Sequence, residues 1–304
     1  MRIGISLSSS RPDGDHAAGA RSIIARAKAA NEAGLDSVTM GDRHAMPTPY
    51  FQNVPMLGRL MADVAVTRPV GCLFLLPLWH PVLVAEQVAT LATMSDAPFI
   101  IQTGIGSGRQ QFDAVGASLE TRGVALDESI RVIKGLLAGE TVSSEPFGIL
   151  DASISPLPPA GVEWWIGAGV DRALRRAATI GDAWYTAPSF TPADLERPMR
   201  AYEAFCEAEG ATPRTVLRKD VLVLADADRA RSAGAHILAS GYRGMQAENV
   251  VIGGVGQAIE QLAAFADMGV ADVIVRCMTD DDAEALETIE ACGEIRRHFA
   301  RSSD

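Results

Sequence analysis

The chain has 304 residues, a formal charge of −11 at pH 7, 48% hydrophobic residues and 21% charged residues. That balance excludes disordered, collagen-like and disulfide-scaffold proteins, and the acidity argues against a nucleic-acid partner. Four scattered cysteines (Cys72, Cys206, Cys277, Cys292) form no CxxC and read as free thiols in a reducing compartment. The opening MRIGISLSSSRPDGD lacks a signal-peptide pattern, and the most apolar run, residues 70–79, is shorter than the ~20 residues of a spanning helix. The expected location is cytoplasmic, with no membrane association.

Short β-rich runs alternate with longer helical stretches. Strands are expected at 3–7, 37–40, 70–75, 99–103, 163–166, 182–185, 216–224 and 272–276. Several are almost continuously apolar, as strands covered on both faces are. Between them, Leu126, Ile130, Ile133 and Leu137 form one helical stripe. Thr191, Pro192 and Asp194 supply a cap, a first-turn proline and an early acid. Near the C-terminus, Leu286, Ile289, Cys292, Ile295 and Phe299 form a second stripe. Asp280, Asp281 and Asp282 stand before it, and Arg296, Arg297 and His298 near its end, matching the helix dipole.

Eight such units with no composition break predict an α/β fold, a single (β/α)8 TIM barrel over residues 1–304, with a doubly wound sheet as the open alternative. Two connections are long, 139–161 after the fourth unit and 241–256 after the seventh; loops of that length are usually functional.

In a barrel the reactive groups gather at the C-terminal strand ends. There the sequence places Gly41, Asp42, Arg43 and His44, then Cys72, Leu73 and Phe74, then Gln102 and the glycine-rich Thr103, Gly104, Ile105, Gly106, Ser107 and Gly108. Further on come Gly167, Ala168, Gly169 and Val170 before a helix start, and finally Arg276 and Cys277. Glycines allow close backbone approach, and a helix N-terminus suits a phosphate. Neither cluster has dinucleotide or P-loop spacing. His44 beside Asp42 is a candidate proton-handling group. No HxH or HExxH spacing supports a metal. Arg122 and Arg276 read equally as phosphate partners or as surface ion pairs, and Cys72 and Cys277 as inert packing. Trp79, Trp164, Trp165 and Trp184 fall near strand ends, where aromatics wall a pocket or fill the core.

Six segments in order carry a resemblance: AGLDSVTMGDRH, PLWHPVLVAEQVATLATMS, IIQTGIGSGRQQFDAVG, TRGVALDESIRVIKGLL, WWIGAGVDRALRRAATIGDAW and VIGGVGQAIEQLAAFADMGVADVIV. Together the chain resembles the bacterial luciferase-like superfamily of flavin- and deazaflavin-dependent oxidoreductases. The resemblance implies a barrel holding reduced FMN or coenzyme F-420 in its mouth, with a non-prolyl cis peptide near Cys72–Leu73 against the ring. It implies a cofactor phosphate on the amides of Gly167, Ala168, Gly169 and Val170, helped by Arg122 and by Thr103, Gly104 and Gly106. His44 and Asp42 correspond to the family's catalytic position, although the family commonly has two histidines or Asp-His where Asp42-Arg43-His44 stands here. The implied activity is a two-component monooxygenase, using reduced FMN from a separate flavin reductase and O2 on a small organic substrate. Hydride transfer through coenzyme F-420 without O2, or a non-catalytic flavin-binding barrel, are the alternatives. A homodimer is the implied assembly.

Overall fold

Strands this apolar are buried on both faces either by helices on both sides of an open sheet or by helices outside a sheet that closes on itself. The computed structural model, which describes residues 1–11 and 14–301, has the second arrangement. The elements run β1 (Arg2–Leu7), α1 (His16–Glu32), β2 (Val38–Met40), α2 (Asn53–Leu60), β3 (Val70–Leu75), α3 (Pro81–Ala92), β4 (Phe99–Gly104), α4 (Arg109–Val115) and α5 (Arg122–Leu137). They continue with β5 (Val142–Ser144), β6 (Ile149–Ala152), β7 (Val162–Gly167), α6 (Asp171–Ile180), β8 (Ala183–Tyr185), α7 (Pro192–Glu209) and β9 (Thr215–Val223). The last are α8 (Ala227–Ala239), β10 (Val251–Gly253), α9 (Val255–Asp267), β11 (Asp272–Cys277) and α10 (Asp282–Arg301).

Eight parallel strands close in the order β1-β2-β3-β4-β7-β8-β9-β11 and back to β1. The ring shuts where Trp184 pairs with Thr215 and Tyr185 with Val216. It is therefore a (β/α)8 TIM barrel, and the open doubly wound sheet is set aside. Both long connections carry structure of their own. The first holds the antiparallel β5–β6 hairpin, and the second holds β10, which extends the sheet along the upper half of β9 through Val251↔Val221 and Gly253↔Val223. Among the described residues no helix is long and apolar enough to cross a membrane.

The helices follow their sequence signals. Leu126, Ile130, Ile133 and Leu137 of α5 are all buried. Thr191 and Asp194 form a capping box at the start of α7. Gly71 is required by packing, because a Cβ there would lie 2.1 Å from the carbonyl oxygen of Ile100 on the next strand.

Strand alternation sorts the barrel into two layers. Ile3, Ile5, Cys72, Phe74, Ile101, Trp164, Ile166, Leu217, Val273 and Val275 face the helices in the main core. Ile100, Trp165, Ala183, Tyr185, Val216 and Ile274 fill the interior. At the N-terminal end Arg214 seals the floor: it donates to Glu163 at 2.9 Å and to Asp272 at 3.2 Å and stacks over Trp165.

Candidate functional site

Above that apolar floor the inward positions turn polar. Two residues further along each strand, Ile100 gives way to Gln102, Val216 to Arg218 (with Asp220 two further on), Ile274 to Arg276, and Gly4 to Ser6. The result is a cavity of about 750 Å³ at the C-terminal mouth, lined among others by Leu73, Leu75, Gln102, Tyr185, Arg218 and Arg276.

Its two halves differ. In the closed ring β3 and β4 stand across the barrel from β9 and β11, three strands apart in either direction. The β3–β4 wall presents Leu73, Leu75 and Gln102, continued by Gly106 and Gln111 from the following loop and helix. Gln102 is buried, and its Nε2 has no hydrogen-bond partner among the described residues. The β9–β11 wall presents Arg218 and Arg276, joined by Tyr242 and Arg243 from the long second connection. Tyr242 Oη donates to Asp220 Oδ2 at 2.9 Å. Burial raises the Tyr242, Tyr50 and Tyr185 phenols above their ordinary value, so all three are protonated at neutral pH.

The strand-two acid is an anchor as well as a candidate catalyst. Asp42 Oδ2 accepts from the backbone N–H of Leu75 at 2.7 Å and from Trp79 Nε1 at 2.8 Å. Its Oδ1 lies 3.1 Å from His44 Nε2, off the hydrogen-bond axis. The His44 ring packs edge-on against Trp79, with centroids 5.0 Å apart, and its backbone N–H donates to Gln111 Oε1 at 2.9 Å. Asp42 and Arg43 line the cavity while the His44 imidazole sits just behind its rim.

The remaining expected positions divide. Leu73 and Gly106 line the cavity. Cys72, one residue from Leu73, points to the helical layer, where burial pushes its thiol well above the ordinary value. The peptides of β3 are trans, and the one cis bond among the described residues is Ser155–Pro156. That corrects the expected cis Cys72–Leu73: β3 stays in unbroken register with β4 from Gly71↔Ile100 to Leu75↔Gly104. Thr103 also faces outward, its Oγ1 accepting from Gly167 N at 3.3 Å. Gly104 and Gly167 are close-approach glycines, where a Cβ would come 2.7 Å from Leu75 and 2.4 Å from the Thr103 carbonyl. Arg122 folds back onto the Leu119 carbonyl, away from the cavity. Ala168 O accepts from Trp184 Nε1 at 3.0 Å. Gly169 opens onto a separate cavity of about 420 Å³ between α6 and α7, beside Ser189, Asp194 and Arg197, and Val170 caps α6 with no side-chain bond to its free N–H groups.

Gln102, expected among the residues at the end of the fourth strand, does line the cavity; the residues missed were Arg218, Asp220, Tyr242 and Arg243. One signal was available, the charged triplet Arg218-Lys219-Asp220 interrupting an apolar strand. Among the described residues no cluster of His, Cys, Asp or Glu could hold a metal ion.

A polar cavity at the C-terminal mouth of a (β/α)8 barrel is the general form of an active site in this architecture. The chain belongs to the luciferase-like monooxygenase family, whose profile matches residues 1–249. An uncharacterized protein of Mycobacterium tuberculosis is 26% identical over 211 residues, covering 62% of this chain and 73% of that protein. An F420-dependent glucose-6-phosphate dehydrogenase of Beutenbergia cavernae is 31% identical over 179 residues, covering 54% of this chain and 52% of that enzyme. The oxygenating constituent of 3,6-diketocamphane monooxygenase from Pseudomonas putida, solved with FMN, shares the fold with a TM-score of 0.80 at 16% identity, covering 97% of each chain. Membership makes the protein a flavin- or F420-dependent oxidoreductase at the level of the family.

Proposed function

We propose that the protein is a coenzyme F-420-dependent oxidoreductase that binds its cofactor ring against the β3–β4 wall and a small organic substrate on the other side of the same cavity. The observation that carries this is Gln102. Its buried Nε2 donor lacks a partner and stands beside Leu73 and Leu75. Buried donors are ordinarily paired, so an orphan between apolar side chains suits a planar ring with an accepting edge. When bound, the deazaflavin supplies a two-electron hydride carrier.

The chain's own groups have separable tasks. Leu73 and Leu75 hold the ring face and keep water from it, and Gln102 orients its edge. The Asp42–His44 pair holds the proton that leaves or joins the substrate. Asp42 also fixes the end of β3 through Leu75 and Trp79. The amides of Gly169 and Val170, at the start of α6 and just after β7, the strand next to β4 in the ring, would hold the cofactor's phosphate.

The B. cavernae dehydrogenase supports the choice of cofactor. A second reading, oxygenation with reduced FMN from a separate flavin reductase, is favoured by the family's own description and by the FMN-bound P. putida structure. Titrating the protein with each cofactor separates them. Tight binding of coenzyme F-420 without oxygen uptake is the expected result, and preferential binding of reduced FMN with oxygen consumption overturns it.

A further inference from the structure

The β9–β11 wall holds more positive charge than its own acid balances. Arg218 and Arg243 share one fully buried carboxylate, Asp220, and Arg276 stands in register beside it on the next strand. Arg218 Nη2 lies 3.7 Å from Asp220 Oδ1, and Arg243 Nε 3.5 Å from Oδ2. Among the described residues Arg276 forms no ion pair; it donates to Ser8 Oγ at 3.0 Å. The Nε atoms of Arg218 and Arg276 are shielded from solvent and have no hydrogen-bond partner among the described residues. Burial and the two neighbouring guanidiniums pull Arg243 down to about 10. Arg243 also sits at φ 50°, ψ 17°, a left-handed conformation uncommon for a side-chain-bearing residue. Strain of that kind is stored where something is to be held. All this occurs inside a protein of net charge −11.

We infer that Arg218, Arg243 and Arg276 form a receptor for the carboxylate or phosphate group of the substrate, so that the protein acts on a small anionic molecule. The inference rests on the proposed cofactor position, because the cationic wall stands opposite the β3–β4 wall and faces whatever lies over the ring. Planar guanidiniums pair with oxyanions through two parallel bonds, and the unpartnered Nε atoms are the donors such a fork uses. A cleft of one sign also concentrates counter-charged ligands from solution. The cofactor's own phosphate has the same chemistry, and the test separates the two.

The experiment is calorimetric titration of the full chain with inorganic phosphate, alongside fluorescence titration with coenzyme F-420. Arg276→Met and Arg218→Met should each weaken phosphate binding about tenfold or more. Asp220→Asn should tighten it, since a competing carboxylate is removed. Affinity for coenzyme F-420 should be unchanged in all three. Arg276→Lys keeps the charge without the fork and should still weaken phosphate if Arg276→Met fails to fold. Wild-type protein that does not bind phosphate, or arginine variants that bind it as wild type does, overturn the receptor. A parallel loss of coenzyme F-420 affinity assigns the arginines to the cofactor and overturns the anionic substrate. If neither cofactor binds while the phosphate pattern holds, the receptor is supported and only the cofactor reading falls.

Discussion

The indole N–H of Trp79 donates to Asp42 Oδ2 at 2.8 Å, tying the end of β2 to the turn that follows β3. The same oxygen takes the Leu75 N–H. Asp42→Ala leaves both donors unpaired, and each unsatisfied buried donor costs about 1–3 kcal/mol. The expected loss is roughly 2–5 kcal/mol in urea unfolding, with a smaller loss for Asp42→Asn, which keeps an acceptor. An Asp42→Ala midpoint equal to wild type would show that the carboxylate anchors nothing.

His44 stands behind the rim with its Nε2 3.1 Å from Asp42 Oδ1. If the pair handles the substrate's proton, His44→Ala should lower kcat by about 100-fold while leaving cofactor affinity unchanged. A variant turning over at the wild-type rate removes His44 from the mechanism.

Lys219 gives the protein a pH signature. It is fully buried on the outer face of β9, where its ammonium donates to the carbonyls of Phe190 and Asn249 and lies over the Phe265 ring. Burial lowers it to about 8 despite the attraction of Asp220. The unfolded chain keeps the ordinary value near 10.4, so between the two values it binds more protons than the folded protein. Stability from this group therefore rises with pH through the window from about 8 to about 10.4, by up to about 3 kcal/mol, and is flat below it. Lys219→Met should flatten that rise in urea midpoints. A wild-type minus variant difference independent of pH in the window would count against it.

The barrel was legible because its strands are apolar on both faces and its helices carry single stripes. The positions of β3 and β11 follow from VGCLFL and DVIVRC to within a residue. The β5–β6 hairpin and β10 were not, since strands of three or four residues give periodicity nothing to repeat. The site was harder for a geometric reason. Alternation means that one residue of uncertainty changes faces. Leu73 enters the cavity while Cys72 leaves it, and Gln102 enters while Thr103 leaves it. Arg218, Asp220 and Arg276 lie on neighbouring strands of the ring but 56 residues or more separate Arg276 from the others, so only closure brings them together.

Two glycines at the junction of β7 and α6 should answer differently to substitution. A Cβ at Gly167 would lie 2.4 Å from the Thr103 carbonyl, a backbone atom that cannot turn aside, whereas nothing lies within 4 Å of one at Gly169. Gly167→Ala should therefore cost on the order of 1–3 kcal/mol of stability, as overpacking does. Gly169→Asp should fold normally and, by placing a negative charge at the start of α6, weaken cofactor binding about tenfold or more. A folded Gly169→Asp with wild-type affinity moves the cofactor tail away from α6.

Gln102 offers a test in which stability and binding move in opposite directions. Its unpartnered Nε2 costs the empty protein the desolvation of an amide donor, about 1–3 kcal/mol. Leucine has similar volume and no polar group, and the site already presents Leu73 and Leu75. Gln102→Leu should thus raise the unfolding free energy of the cofactor-free protein in urea by about 1 kcal/mol and weaken cofactor binding about tenfold. A residue serving only the fold would not separate these readouts, because losing it would lower both. If Gln102→Leu destabilises the free protein and leaves affinity intact, the amide is a packing group and the ring belongs elsewhere in the mouth.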